Sequence, residues 1–414
     1  MPSLSIGAIG EAAALNPGDS RLPSLFVSAY PWNLMERGLD GLLDRLRGEV
    51  GVTGLSVWAA TPPLKQFRVR DVLPRLFRTD GGVFFQPSDR HGSGAACRPL
   101  VSTWTRGGNP LATIAEQCVR SDVRLRAILP AATTGQLALR YPEFACRNAF
   151  DDESGSAICL ANPDVQEYLV GLATDIATNY PVQGLVLADF SVSWREAFSR
   201  EILVTAPLGD AERSVLSTCF CGACVRASES AGVDVHEARD RVRAIIDQTL
   251  SPGVHAGRNP PRMNAGARGI LDGLLADQPA LAEHRRIQTE QLNALLRRLV
   301  ETCRVEVLLS RATNDPASAG PTGLDHRIPA GVLTRAESVE RLSGATAANA
   351  RRNEVWVAAS WAIGAGAAEF VGAVSRAAQL GFAGIDIDNY GILPDAAFTT
   401  IKQAIRFARR SAGA

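Results

Sequence analysis

At 414 residues, 46% of them hydrophobic and 21% charged, the chain can bury a large core, which excludes disorder as its main state. Its 43 basic and 43 acidic residues cancel, so no overall charge draws it to nucleic acid, an anionic membrane or a polyanion. Eight cysteines in so long a chain are too few for the disulfide framework of a small secreted scaffold, and no stretch approaches the roughly 20 apolar residues that span a bilayer.

The start, Met1-Pro2-Ser3-Leu4, has neither the basic flank nor the apolar run of a secretory signal, so a cytoplasmic location is expected. Short apolar or β-branched runs then alternate with longer amphipathic stretches, the pattern of βα units. In chain order the reading is strand 25–30, helix 38–49, strand 54–59, helix 110–121, strand 124–129, helix 163–179, strand 184–190 and helix 282–303. Strands 305–311 and 330–334, helix 337–351, strand 354–360, helix 367–380, strand 384–390 and a closing helix 396–411 follow. Asn162 before Pro163 predicts an N-cap and then a proline at the first helical position, where a missing N–H costs nothing. Gly381 suits a helix stop.

Eight strands with helical crossovers, and no Gly-x-Gly-x-x-Gly after the first, predict an α/β fold, a (β/α)8 TIM barrel forming one domain over residues 1–414. Two connections are unusually long: 61–109 after strand two and 191–279 after strand four, the latter a helical or loop insertion within the barrel domain. Both emerge at the C-terminal face, where barrels build their sites, and are expected to wall a pocket.

The strand ends at that face supply the candidate residues. Tyr30 and Trp32 follow strand one and Trp58 lies in strand two; their rings can stack on a sugar or close the top of the core. Strand four ends Leu187-Ala188-Asp189, and an aspartate closing an apolar run needs water, a donor or a substrate at the mouth. In Gly384-Ile385-Asp386-Ile387-Asp388-Asn389-Tyr390 the period of two puts both aspartates on one face, and isoleucine against the helices puts that face inside. Asp388 is the better functional candidate, whereas the deeper Asp386 suits a structural pairing with a buried arginine. Arg311 closes strand five and can bind substrate oxygens; Asp315 lies in a turn beyond it, and Glu337 opens the helix after strand six.

Cys219-Phe220-Cys221-Gly222-Ala223-Cys224 has ligand-like spacing, and three thiolates would hold structural zinc with a fourth ligand from Cys97, Cys146, Cys159 or His236; unligated thiols are the alternative. Other chemistries drop out. The only lysines, Lys65 and Lys402, avoid the strand ends, which disfavours Schiff-base chemistry. All five histidines lie off the predicted strands, and there is no Gly-x-Ser-x-Gly elbow or phosphate loop. Carboxylate chemistry remains, with no cofactor required for catalysis.

The segments Tyr141-Pro142-Glu143, Cys159-Leu160-Ala161-Asn162-Pro163, Gly184-Leu185-Val186-Leu187-Ala188-Asp189, the cysteine cluster and Gly384-Ile385-Asp386-Ile387-Asp388-Asn389-Tyr390 together resemble the glycoside hydrolase-like TIM-barrel proteins related to the α-amylase and α-galactosidase barrels. The resemblance covers most of the chain in order through short motifs. It implies a carbohydrate substrate and Asp189 as the strand-four nucleophile; Asp386, Asn389 and Tyr390, on the last strand, are counted with the candidate substrate-binding residues. The sequence departs from that pattern in two places: Leu187 stands where those proteins carry arginine, and no glutamate ends strand five. The reading is therefore a glycosidase with Asp189 as nucleophile or base and Asp388, Asp315 or Glu337 as proton donor. A noncatalytic carbohydrate-binding barrel and a sugar lyase or isomerase stay open; oligomeric state is not legible.

Overall fold

A computed structural model describes residues 24–36, 38–69, 73–88, 96–194, 208–251, 271, 273–311, 325, 327–335, 355–360 and 382–413. Its centre is a closed ring of parallel strands: β1 (Ser24–Ala29), β2 (Gly54–Trp58), β3 (Arg124–Pro130), β4 (Gly184–Ala188), β5 (Glu306–Arg311), β6 (Gly331–Arg335), β7 (Val355–Ser360) and β8 (Gly384–Asp388). Each strand pairs with the next in sequence, and β1 pairs with β8 to close the ring. All eight lie within two residues of where apolar patterning put them.

Strand alternation sorts the side chains into two cores. Leu25, Val27, Leu55, Val57, Leu125, Ala127, Leu185, Leu187, Val307, Leu309, Ile385 and Ile387 face outward and pack under the helices. Phe26, Ile128, Val186, Leu308 and Leu333 point inward, with half-buried Trp58 and Ala188 against them. Glycine makes room for the inner filling: a Cβ on Gly54 would sit 2.3 Å from the Phe26 ring, its registered neighbour on β1.

Helices cover the outside: α1 (Leu39–Arg45), α2 (Pro110–Arg120), α3 (Pro163–Asn179), α4 (Asp210–Leu216), α5 (Gly222–Ser230), α6 (Val235–Leu250), α7 (Pro279–Cys303) and α8 (Asp395–Gly413). Asn162 caps α3 as its sequence requires, its side chain accepting from Asp164 N at 2.9 Å. The predicted helices at 337–351 and 367–380, and Gly381, lie outside the described residues.

The two long connections are more structured than their sequence suggested. The first carries antiparallel pairs Ala60–Thr61 with Gly82–Val83 and Leu64–Phe67 with Leu76–Thr79. A further hairpin, Ala145–Arg147 with Glu153–Ile158, leaves β3. These strands are too short to print a period on the sequence. After β4, α4, α5 and α6 gather a core of their own around Val215, Phe220, Val242 and Ile246. Helix α7, 25 residues or about 37 Å long, joins both regions: Leu281 near its start belongs to that core, and Leu292, Leu296 and Leu299 belong to the barrel.

Candidate active site at the barrel mouth

The inward positions of β8, β1 and β2, three adjacent staves, form a polar wedge. Ser28 Oγ donates to Asp388 Oδ1 at 2.9 Å, and the Ser56 hydroxyl donates to Asp386 Oδ2. Asp388 is half-buried at the strand end, while Asp386 one step deeper is sealed, its Oδ1 without a hydrogen-bond partner among the described residues. Burial pushes the Asp386 carboxyl up from 3.8 to about 7 and the neighbouring Asp388 adds to this, against the Ser56 hydrogen bond and the Arg126 charge. The buried Arg126 acts on Asp386 through its charge, while its hydrogen bonds go to Glu306: Nε (2.9 Å) and Nη2 (2.6 Å) both reach Oε2, and the guanidinium lies 4.1 Å from the centre of the Phe26 ring. That pair spans from β3 to β5 over Gly184, whose missing side chain leaves the space.

Tyr30 stands above the wedge. Burial, and then the charge of Asp388, pushes its phenol up to about 12, so it is a neutral donor at any ordinary pH. Its ring stacks on Trp32 at 4.6 Å and on Trp58 at 5.7 Å. Trp58 is half-buried, and its Nε1 has no acceptor among the described residues.

Three expected substrate contacts instead serve the scaffold. Trp32 is 1% exposed, donates from Nε1 to Gln66 Oε1 at 2.6 Å and packs against Phe77, Phe84 and Trp104, because the connection after β2 folds over it. Asn389 is turned to its own chain, accepting from Gly391 N at 2.8 Å to start a short 3-10 turn, Tyr390–Ile392. Tyr390 is buried with its ring 5.6 Å from that of Phe398 on α8. Burial of an aromatic ring under a helix leaves it no face for a sugar.

Asp189 sits one residue beyond β4, half-buried, with φ 55°. Aspartate tolerates the left-handed region better than most residues, and such backbone concentrates at functional turns. In the ring order β4 lies four staves from β8, so Asp189 and Asp388 occupy opposite rims of the mouth. Arg311 ends β5, with its side chain outside the described residues, as are Asp315 and Glu337.

In the excursions after β3 and β4, Cys219, Cys221 and Cys224 converge with Cys159: the four buried sulfurs lie within 4.8 Å of one another, a ligand set of the number and spacing that a metal ion takes. Cys159 follows the hairpin after β3, and nothing in the Cys-x-Cys-x-x-Cys spacing separated it from Cys97, Cys146 or His236 as the fourth member. Ser28 and Ser56 also escaped the sequence reading. Their signal was available, as small polar residues at inward parity in otherwise apolar strands.

No protein-family model matches the chain, and no curated protein matches it in sequence. Solved structures do match. The catalytic domain of β-amylase from Paenibacillus polymyxa aligns over 93% of this chain and 98% of its own, at TM-score 0.53 and 10% identity. The glycoside hydrolase domain of PgaB (BpsB) from Bordetella bronchiseptica aligns over 94% and 98%, at TM-score 0.53 and 13% identity. α-L-Fucosidase isoenzyme 2 from Paenibacillus thiaminolyticus aligns over 94% of this chain and 49% of its own, at TM-score 0.51 and 12% identity. The chain has the barrel architecture found in glycoside hydrolases.

Proposed function

We propose that the protein is a glycoside hydrolase acting on a small glycoside or oligosaccharide, with Asp189 and Asp388 as its working carboxylates. The whole chain then forms one (β/α)8 domain, with 191–279 inserted between β4 and β5. The observation that carries the reading is the placement of two half-buried aspartates at the C-terminal ends of opposed strands in a barrel of this architecture.

Eight strands about 4.8 Å apart and tilted about 36° enclose a ring roughly 15 Å across at the backbone. Two aspartate side chains, each reaching in roughly 3 Å from opposite rims, narrow that gap to about 9 Å. This favours the wider separation of inverting enzymes, about 6.5–9.5 Å, in which a water fits between base and sugar. Asp189 then serves as the base that activates water, and Asp388 as the acid that protonates the leaving oxygen. The half-buried Trp58 ring, stacked on Tyr30, offers an apolar face to the sugar, and the neutral Tyr30 hydroxyl near Asp388 offers a donor.

The test is a panel of aryl glycosides and oligosaccharides read by release of reducing ends, with anomeric configuration followed by NMR. Turnover is expected from the wild type and a loss of roughly 10²–10⁴-fold from Asp189→Asn, a change that keeps the left-handed turn. Full activity in that variant removes Asp189 from the mechanism. Sugar binding without turnover would favour a noncatalytic carbohydrate-binding barrel, and turnover without net hydrolysis a lyase or isomerase.

A further inference from the structure

The hairpin after β3 and the insertion after β4 are separate excursions of the chain, and their cysteines meet in one buried cluster. Cys159 directly follows the hairpin strand Glu153–Ile158; Cys219, Cys221 and Cys224 run into the first turn of α5. The sulfur separations discriminate between uses of this cluster. Cys159 Sγ lies 3.5 Å from Cys224 Sγ and 3.9 Å from Cys219 Sγ, and all four sulfurs fall within 4.8 Å of one another. A tetrahedron with metal–sulfur bonds of about 2.3 Å has edges of about 3.8 Å, so one ion fits at the centre with little adjustment. Sulfurs that must bind different irons of a multinuclear cluster would stand farther apart. All eight cysteines are free thiols, so the proximity is not that of disulfides.

The surroundings suit concentrated negative charge on sulfur. The backbone N–H groups of Arg147 and Cys221 point at Cys219 Sγ, at 3.4 and 3.5 Å. The Cys219 carbonyl accepts from Gln288 Nε2 at 2.6 Å and faces His284 Nε2 at 2.9 Å, which fixes the ligand-bearing backbone from α7. On the same helix Arg285 donates to Ser214 O, at 2.9 Å, and to Thr218 Oγ1, at 2.7 Å, beside Cys219, and it has no carboxylate partner among the described residues.

We infer that Cys159, Cys219, Cys221 and Cys224 hold one zinc-class divalent ion as a tetrathiolate, with Cys146 a bystander. Cys146 borders Cys159 and Cys219 but lies outside the mutual set of four. Four protein ligands leave no open position, so the site is structural. It clamps the β3 hairpin to the insertion. Trp194 N donates to Ser217 O at 2.7 Å, so the same clamp braces the segment that leaves Asp189. The inference is independent of the glycosidase reading and stands if the barrel has no hydrolase activity.

The full chain, purified from zinc-supplemented culture, is expected to contain one zinc per chain by mass spectrometry. Replacement by Co²⁺ should produce the intense d–d and sulfur-to-cobalt bands of a tetrahedral thiolate site. Cys159→Ser should retain at least tenfold less metal at fixed chelator concentration, whereas Cys146→Ser should retain it all. Stripping zinc from the wild type should lower the Tm and re-addition restore it, a readout that does not depend on either variant folding. Less than a tenth of an ion per chain, a Cys159–Cys224 disulfide in peptide mapping, or metal lost in Cys146→Ser but kept in Cys159→Ser would each overturn the assignment.

Discussion

The two faces of β8 share a backbone and little else. Outward, Ile385 and Ile387 are sealed against the helices in a layer built from apolar side chains. Inward, Asp386 and Asp388 sit among Ser28, Ser56 and Tyr30, with one carboxyl raised by burial and by its like-charged neighbour. Water-free burial favours the first arrangement and opposes the second, since an ionised carboxylate buried without full pairing costs several kcal/mol. A fold selected for stability alone would fill both faces with aliphatic side chains. If the proposed function holds, the inner face of this strand is where stability gives way to chemistry, and substitutions on its two sides should separate the two properties.

The largest effect is expected at Asp388. Asp388→Asn keeps an oxygen to accept from Ser28, and should reduce turnover roughly 10²–10⁴-fold while moving the urea midpoint little. A variant that unfolds instead would return Asp388 to the scaffold. Ile387→Ala, one residue away, should do the reverse: a loss of about 2–5 kcal/mol of stability, with kcat unchanged in the protein that remains folded.

Asp386 gives a smaller effect with a definite sign. Its folded-state pKa, about 7 against an ordinary 3.8, means that between these values the folded protein holds a proton the unfolded chain has released. The stability this proton contributes is present at low pH and is lost as pH rises through that window. Asp386→Asn removes the slope. Between pH 4 and 8 the wild type should therefore lose a few kcal/mol relative to the variant, at ~1.4 kcal/mol per unit, measured as urea midpoints at both pH values. Parallel profiles would show that Asp386 keeps its charge at low pH and has a cationic partner.

Much of this was visible in the chain. The inward and outward assignment of β8 followed from a period of two, and the N-cap of α3 from Asn162-Pro163. The contacts of Asp386 were not legible. A buried arginine was expected there, and Arg126 does act on Asp386 by its charge, but its hydrogen bonds go to Glu306 across the gap that Gly184 leaves between their strands. Trp32 and Tyr390 read as mouth residues because they follow strand ends. Their burial depends on the first long connection and on α8, which approach them from distant parts of the sequence.

By itself the sequence determined the number of barrel strands, their inner and outer faces, and the acidic character of two strand ends, because each is written in local periodicity. The tertiary structure decided which polar groups meet: Ser28 with Asp388, Ser56 with Asp386, and Cys159 with three cysteines some 60 residues later in the chain. Ring closure joins the first strand to the last, 360 residues apart at Ser28 and Asp388, and no local pattern records a contact over that distance.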